Sequence, residues 1–241
     1  KPYHSDVRLE IDGSEVIIDA EGQLMLSSAT DINREAPEQV GERVGYIDLT
    51  ASETRPNEYA KKREEILARA AEAEGAARES ARVELARYYL ANQLTHEALG
   101  VLQVWEEDTK RPKLYEEAKT VQAAANVLAH RYEEALEILL EDEFLEAADA
   151  IIWRTIARAK RGEYEIARND ALLAEQAVEA YPLWVANEFF FSAARAALEL
   201  GDSTSAIRYL GGIDFSTLSR EDLSRYDLLA GRVDEVDGEY A

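Results

Sequence analysis

The chain has 241 residues, 46% of them hydrophobic, 32% charged and five proline, a composition typical of soluble helical proteins. Its 49 acidic and 27 basic residues give a formal net charge of −22. Nucleic acid is therefore not an expected partner, because its binding depends on lysine and arginine at phosphates. An anionic membrane surface is disfavoured for the same reason. Cysteine is absent, which excludes disulfides and thiolate metal sites, and no apolar run approaches the roughly 18 residues that span a bilayer.

The first part of the chain, residues 6–27, predicts a small antiparallel β-meander. Apolar and polar residues alternate before an Asp12-Gly13 turn, and short apolar segments follow at 16–18 and 24–26. A further short strand is predicted at Val44–Leu49. Three or four short strands cannot bury a core of their own. We therefore expect them to pack on the helices or to complete a larger sheet.

A polar connector rich in proline and glycine, residues 33–57, separates this segment from the rest. We therefore predict two domains, a β-meander with its connector at 1–56 and a helical domain at 57–241. The chain begins with Lys1 and ends just after Gly238, so we expect it to be a piece or processed form of a longer protein.

From residue 59 onward the apolar residues recur at helical spacing. One amphipathic helix is predicted from Tyr59 to about Gly75, and paired helices follow from residue 76. The clearest pair spans residues 189–210 and breaks at Gly201-Asp202. Its first helix carries Phe190, Ala193, Ala194 and Ala197 on one face, and its second opens with Ala206 and Leu210.

Small residues open the second helix of every predicted pair. They are Ala98, Ala135, Ala167 and Ala206, with spacings of 37, 32 and 39 residues. A fifth first helix is predicted from about Leu218 to Gly238, without a partner. Such positions are small where two helices cross closely, and larger residues such as Trp153 are expected to fill the space between successive pairs.

This pattern resembles the tetratricopeptide repeat, over about residues 76–241 and with a unit near the roughly 34 residues typical of that family. The resemblance implies a mainly α fold, a right-handed α-α superhelix of helical hairpins, here preceded by the small antiparallel β-segment. In such arrays each hairpin is stabilised mostly by the interface with its neighbour.

Signals of catalysis are sparse. The three histidines, His4, His96 and His130, lack metal-ligand spacing, and the sequence contains neither a G-x-S-x-G elbow nor a glycine-rich phosphate loop. We therefore predict a protein that is not an enzyme and that binds no metal and no cofactor. An α/α-toroid hydrolase is a weaker alternative, since that fold closes a ring of about twelve helices.

The resemblance also implies that the first helix of each pair lines a concave groove. The groove-facing positions, which we call the arginine row, would be Arg87, Asn126, Arg154, Arg158, Arg161 and Arg195. Arginine pairs bidentately with carboxylates, so an acidic peptide or a C-terminal carboxylate is the implied ligand. The alternative is that these arginines pair with the surplus glutamates and aspartates of adjacent helices.

The sequence thus predicts a non-catalytic scaffold that binds a protein or peptide. The alternative is a structural component of a larger complex, assembled end to end or as a homo-oligomer. Acidic, cysteine-free repeat proteins with a small β-segment resemble components of the bacterial cell envelope or of secretion complexes, an analogy that favours the periplasm or envelope over the cytoplasm.

Overall fold

The computed structural model describes residues 7–12, 15–20, 45–108 and 114–238. The chain divides into two compact units, residues 1–41 and 42–241. In the first unit, β1 (Val7–Asp12) pairs antiparallel with β2 (Glu15–Ala20), with Leu9 opposite Ile18. The strand predicted at 24–26 lies outside the described residues, so the β-meander as a whole stays a prediction.

The described part of the second unit is mainly helical, as predicted. Residues 45–49 have no regular structure, so the strand predicted at Val44–Leu49 does not form in its described part. The ten α-helices described are α1 (Tyr59–Glu72), α2 (Gly75–Ala91), α3 (Thr95–Asp108), α4 (Tyr115–Leu128), α5 (Tyr132–Leu139), α6 (Ala148–Arg161), α7 (Tyr164–Ala174), α8 (Leu183–Glu199), α9 (Ser203–Gly211) and α10 (Arg220–Asp237). Short 3-10 turns lie at Thr50–Ser52, Asp142–Phe144, Val178–Ala180 and Phe215–Thr217.

Consecutive helices pack as pairs: α2 with α3, α4 with α5, α6 with α7, and α8 with α9. The first helices of the pairs also contact one another in a row, α2 with α4, α4 with α6, α6 with α8, and α8 with α10. The predicted helix pairs are therefore confirmed, and their consecutive packing is consistent with a helical solenoid.

The turn inside each pair repeats one backbone motif. A residue with positive φ ends the first helix, and the next residue donates its N–H to a carbonyl five positions earlier, a Schellman-type end. The four positive-φ residues are Gln93 (59°), His130 (60°), Gly162 (82°) and Gly201 (73°). They are separated by 37, 32 and 39 residues, the same intervals that separate the four alanines.

The recurring alanines mark close helix crossings. Ala98, Ala135, Ala167 and Ala206 are fully buried, which leaves room at these crossings for a methyl group only. Trp153 is also fully buried. The array is thus built on small residues within pairs, with large side chains elsewhere in a shared core.

The aromatic run of α8 packs differently from its predicted face. Phe189 and Phe191 are fully buried, whereas Phe190 is half-buried, with its ring against Gly212. A methyl group added at Gly212 would come within 2.9 Å of that ring. Because α8 contacts α6, α7, α9 and α10, it buries side chains around most of its circumference, and a single apolar face does not describe it.

Candidate ligand-binding face of the helical array

A pocket of about 250 Å³ opens where the first helices of successive pairs converge. Its wall combines the carboxyl ends of α4 and α6, the first half of α8 and the segment that leads into α10. We call it the inner pocket and define it by Gln93, His130, Ile156, Lys160, Trp184 and Glu188.

One side of the inner pocket is charged, with two cations around one carboxylate. The Glu188 carboxylate accepts two hydrogen bonds from the Arg225 guanidinium, at 2.6 and 3.3 Å, and lies 2.8 Å from the Lys160 ammonium. Burial alone would raise the pKa of Glu188, but the hydrogen bonds and charges of Arg225 and Lys160 outweigh it and lower the pKa. Glu188 therefore stays ionised and holds two cations at the pocket wall.

The other side is aromatic. The rings of Trp184 and Trp153 lie 6.3 Å apart, and Phe191 lines the same cavity. The indole N–H of Trp184 is buried and has no hydrogen-bond partner among the described residues. Buried polar groups without partners are uncommon, and this nitrogen has almost no accessible surface, so it lies within the pocket wall and does not open into the cavity.

Two of the four positive-φ turn residues, Gln93 and His130, line the inner pocket. The left-handed conformation costs a non-glycine residue roughly 1–2 kcal/mol, and the next two pairs have glycine at this position. His130 contacts the Tyr132 hydroxyl through Nδ1 at 2.6 Å, and Tyr132 also lines the pocket. Strained residues of this kind cluster at functional sites.

A segment that precedes α1, residues 45–54, contains no α-helix and lies against several of the helix pairs. We call it the strap. Leu49 is its one fully buried side chain, and Tyr46 and Ile47 are half-buried. The Tyr46 ring packs edge-on against Phe144, with centroids 5.8 Å apart. The strap was predicted as a polar connector and is instead part of the packed array.

Side chains of the array bind the strap through its main chain. The Asp149 carboxylate on α6 accepts the backbone N–H groups of Tyr46 and Ile47, the latter at 3.1 Å. The Asn92 side chain donates to the Ser52 carbonyl at 3.3 Å, and the Arg87 guanidinium donates to the Ser52 hydroxyl at 3.2 Å.

The strap and the inner pocket lie on the same face of α6. Asp149, Ile156 and Lys160 are spaced seven and four residues apart, an interval that keeps side chains on one side of a helix. Asp149 binds the strap at the start of the helix, and the other two line the inner pocket toward its end. We call this common surface the inner face.

The Asp149 carboxylate is buried, and its contacts described above are backbone N–H groups and not cations. Desolvation raises its pKa from 3.8 to about 6, although the backbone N–H groups of Tyr46 and Ile47 act in the opposite direction. The folded protein therefore binds this proton more tightly than the unfolded chain. The stability that Asp149 contributes is fully present below about pH 4 and is lost as the pH rises through about 6.

Replacing Asp149 by asparagine is expected to change stability in a pH-dependent way. Because asparagine does not titrate, wild type should lose stability relative to Asp149→Asn as the pH rises. The unfolding free energy of Asp149→Asn minus that of wild type should increase by about 1–2 kcal/mol from pH 5 to pH 8. Urea denaturation followed by circular dichroism at both pH values measures this. Thr50→Val, which removes a hydrogen bond from the strap to the Ala180 carbonyl, is a non-titrating control whose difference should not vary with pH. A constant difference for Asp149→Asn would contradict the prediction.

The structure brings three members of the arginine row together, around carboxylates of α7 and the turn before it. Arg154 forms two hydrogen bonds to the Asp170 carboxylate, at 2.9 and 3.0 Å, and Arg158 forms another at 2.6 Å. Arg161 lies 2.8 Å from Glu163. These side chains occupy a different face of α6 from Ile156 and Lys160.

The other members of the row lie apart from this cluster. Arg87 pairs with Glu117 on α4 and contacts the strap. Asn126 is buried in a cleft of about 590 Å³ between α3, α4 and α5. Arg195 is exposed and stacks over the Tyr164 ring, with its guanidinium 3.1 Å from the phenol oxygen. Whether the row binds a ligand stays a prediction.

Sequence reasoning missed most of the inner face. Trp184 and Glu188 share a helix face at a spacing of four, but nothing local distinguishes that face from the others of α8. The one available signal was the hairpin turn: His130 stands where Gly162 and Gly201 stand in later pairs. A residue other than the glycine preferred at a helix end is a reason to test that position for a further role.

Among the described residues, none of the helices is long and apolar enough to cross a membrane. The same part of the chain contains no group of three or more histidine, aspartate or glutamate side chains arranged to hold a metal ion. Comparisons with protein-family models, curated proteins and solved structures gave no match to the chain.

Proposed function

We propose that this chain is a non-catalytic scaffold of the tetratricopeptide type, a right-handed superhelix that binds a protein or peptide on its inner face. The observation that carries the proposal is the strap. The inner face already binds a polypeptide segment that contains no α-helix, by placing Asp149 against two consecutive N–H groups and Asn92 against a carbonyl. Recognition of main-chain groups does not depend on one particular sequence, which suits a scaffold.

The inner pocket is the part of the inner face that this segment leaves open. Its aromatic wall, which includes Trp184 and Phe191, favours an apolar side chain. Lys160 and Arg225 share Glu188, and Asp222 on the pocket wall offsets the second cation, so a strong preference for either sign of charge is not expected at this end.

A peptide-display library tests the proposal. Peptides selected on the immobilised wild-type chain should lose at least tenfold in affinity on Trp184→Ala. They should bind equally well to Leu172→Ala, a control that shortens an exposed side chain on α7. Equal affinity for wild type and Trp184→Ala, or no selected peptide at all, would contradict the proposal.

The arginine row remains a proposal for acidic ligands. An acidic peptide would have to replace Asp170 and Glu163 at Arg154, Arg158 and Arg161, whereas Arg195 is exposed and offers its charge directly. Arg195→Glu is therefore the cleaner test. It should weaken acidic peptides and leave the circular dichroism spectrum unchanged, and unchanged affinity would remove Arg195 from the site.

Assembly into a larger structure is the second candidate function. It is favoured by an apolar groove of about 270 Å³ between α9 and α10, where Ile207 is 54% exposed. A second copy of the chain that packs there would bury this surface. Light scattering should then show a mass that rises with concentration for wild type but not for Ile207→Glu. Ile166→Glu, at a similarly exposed position on α7, is the control, and a constant monomeric mass for wild type would remove this candidate.

A further inference from the structure

The strap has few buried side chains of its own. Leu49 is its one fully buried side chain, whereas Gly45, Asp48, Thr50, Ala51 and Glu53 are exposed. Leu49 belongs to the same core as the helices around it, but residues of α2, α4, α6 and α8 supply most of the buried side chains of that core. Segments with few buried apolar contacts open locally at free energies well below that of global unfolding. The strap can therefore leave the inner face without unfolding the array.

The residues that follow the strap allow this opening. Arg55, Pro56, Asn57 and Glu58 are all exposed and form a turn between the strap and α1. Arg55 and Glu58 make an ion pair at 3.9 Å whose side chains are 80% and 57% exposed, and such pairs contribute little to stability. Opening here would move the strap away from α6 while the Glu58 and Tyr59 N–H groups stay bonded to the Arg55 carbonyl and α1 stays packed on α2.

The surface beneath the strap is built for a defined peptide chemistry. It offers the Asp149 carboxylate to two consecutive backbone N–H groups, the Phe144 ring to an aromatic side chain, and a buried position for a leucine three residues further on. The Asn92 amide and the Arg87 guanidinium then bind a carbonyl and a hydroxyl at the Ser52 position. In the strap, these requirements are met by Tyr46, Ile47, Leu49 and Ser52.

We propose that the strap is an exchangeable intramolecular ligand. The site that it covers binds a partner protein through a segment with an aromatic residue followed three positions later by leucine, and the strap limits access to that site until the partner displaces it. This inference rests on the proposed function and names the ligand chemistry of the same inner face. A tethered segment competes at an effective concentration in the millimolar range, so a free peptide of the same sequence is largely excluded from the wild-type chain.

The test uses the full chain and a fluorescent peptide with the sequence of residues 45–55, GYIDLTASETR, in anisotropy titrations. Leu49→Asp places a charge at the strap's buried position and should release the strap, because an unpaired charge is not tolerated there. The peptide should bind Leu49→Asp at least tenfold more tightly than wild type. Ala51→Asp, which adds the same charge at an exposed position of the strap, should behave like wild type.

Two further variants identify the site. Asp149→Ala in the Leu49→Asp chain should abolish peptide binding, because it removes the acceptor of two main-chain N–H groups. A peptide in which the leucine is replaced by aspartate should not bind. If Leu49→Asp loses helix content, Tyr46→Ala with Ile47→Ala releases the strap through half-buried side chains and takes its place in the comparison.

Equal peptide affinity for wild type and a folded strap variant, or no binding to any folded strap variant, overturns the inference. Failure here is distinguishable from failure of the proposed function. Peptides selected on the wild-type chain and lost on Trp184→Ala would still support binding at the inner pocket, even if the strap peptide never bound in trans.

Discussion

Asp170→Ala is expected to lower the free energy of unfolding by about 3–5 kcal/mol, the usual result of removing one partner of a buried ion pair. The Asp170 carboxylate accepts three hydrogen bonds from Arg154 and Arg158. The side chains of Arg154 and Asp170 are each 7% exposed. Without the carboxylate, Arg154 keeps only long contacts to the carbonyls of Leu139 and Leu145, at 3.4–3.5 Å, as partners for its buried charge.

Urea denaturation followed by far-ultraviolet circular dichroism measures this difference. The matched control is Glu84→Ala, which removes a carboxylate 3.0 Å from Arg69 where the two side chains are 34% and 56% exposed. An exposed pair of this kind contributes about 0–1 kcal/mol. If Asp170→Ala cost no more than Glu84→Ala, the pair around Asp170 would have to be solvated in solution.

The helix pairs were predictable because their determinants are local. A small residue at a crossing and a break four to six residues before it recur in each unit, and both Ala135 and Ala206 are fully buried as expected. The resulting turns share one backbone motif because the helix end itself dictates its hydrogen bonds. Local signals in one sequence were therefore enough to predict the helix pairs.

The strap and the inner face were not predictable, since distant contacts decide them. Tyr46 and Asp149 are 103 residues apart, and neither carries a local pattern that reports the other. The connector was predicted to be polar, with a short strand at Val44–Leu49, but the described residues 45–49 form no strand and the burial of Leu49 was missed.

The surroundings of the arginine row were also not predictable, even for the three members that lie on one helix. The spacing of Arg154, Arg158 and Arg161 correctly placed them on one face of α6. Which element that face meets depends on how successive pairs are rotated against each other, a property of the packed array. The face meets carboxylates of α7 and of the turn before it, and Asp149, Ile156 and Lys160 occupy the inner face instead.

Trp153→Ala should be among the most damaging single changes in the helical unit. Trp153 is fully buried at the centre of the array, on a helix that contacts α4, α5, α7 and α8. Truncation of a large buried side chain typically costs about 3–5 kcal/mol, through lost burial and the cavity that remains. In an array stabilised by neighbour interfaces, the cavity also weakens the coupling between the two halves of the unit.

Trp153→Phe separates the effect of a cavity on stability from the effect of the unpartnered indole N–H. The indole N–H of Trp153 is buried without a hydrogen-bond partner among the described residues, so phenylalanine removes an unsatisfied donor while it keeps most of the apolar volume. We therefore expect Trp153→Phe to cost about 1–2 kcal/mol, well below Trp153→Ala, because the cavity that it leaves is much smaller. Thermal melts by circular dichroism should rank Trp153→Phe below wild type and Trp153→Ala far below both. A fall in melting temperature of less than about 2 °C for Trp153→Ala would place this side chain outside the core. It would also contradict the stacking of successive helix pairs on α6.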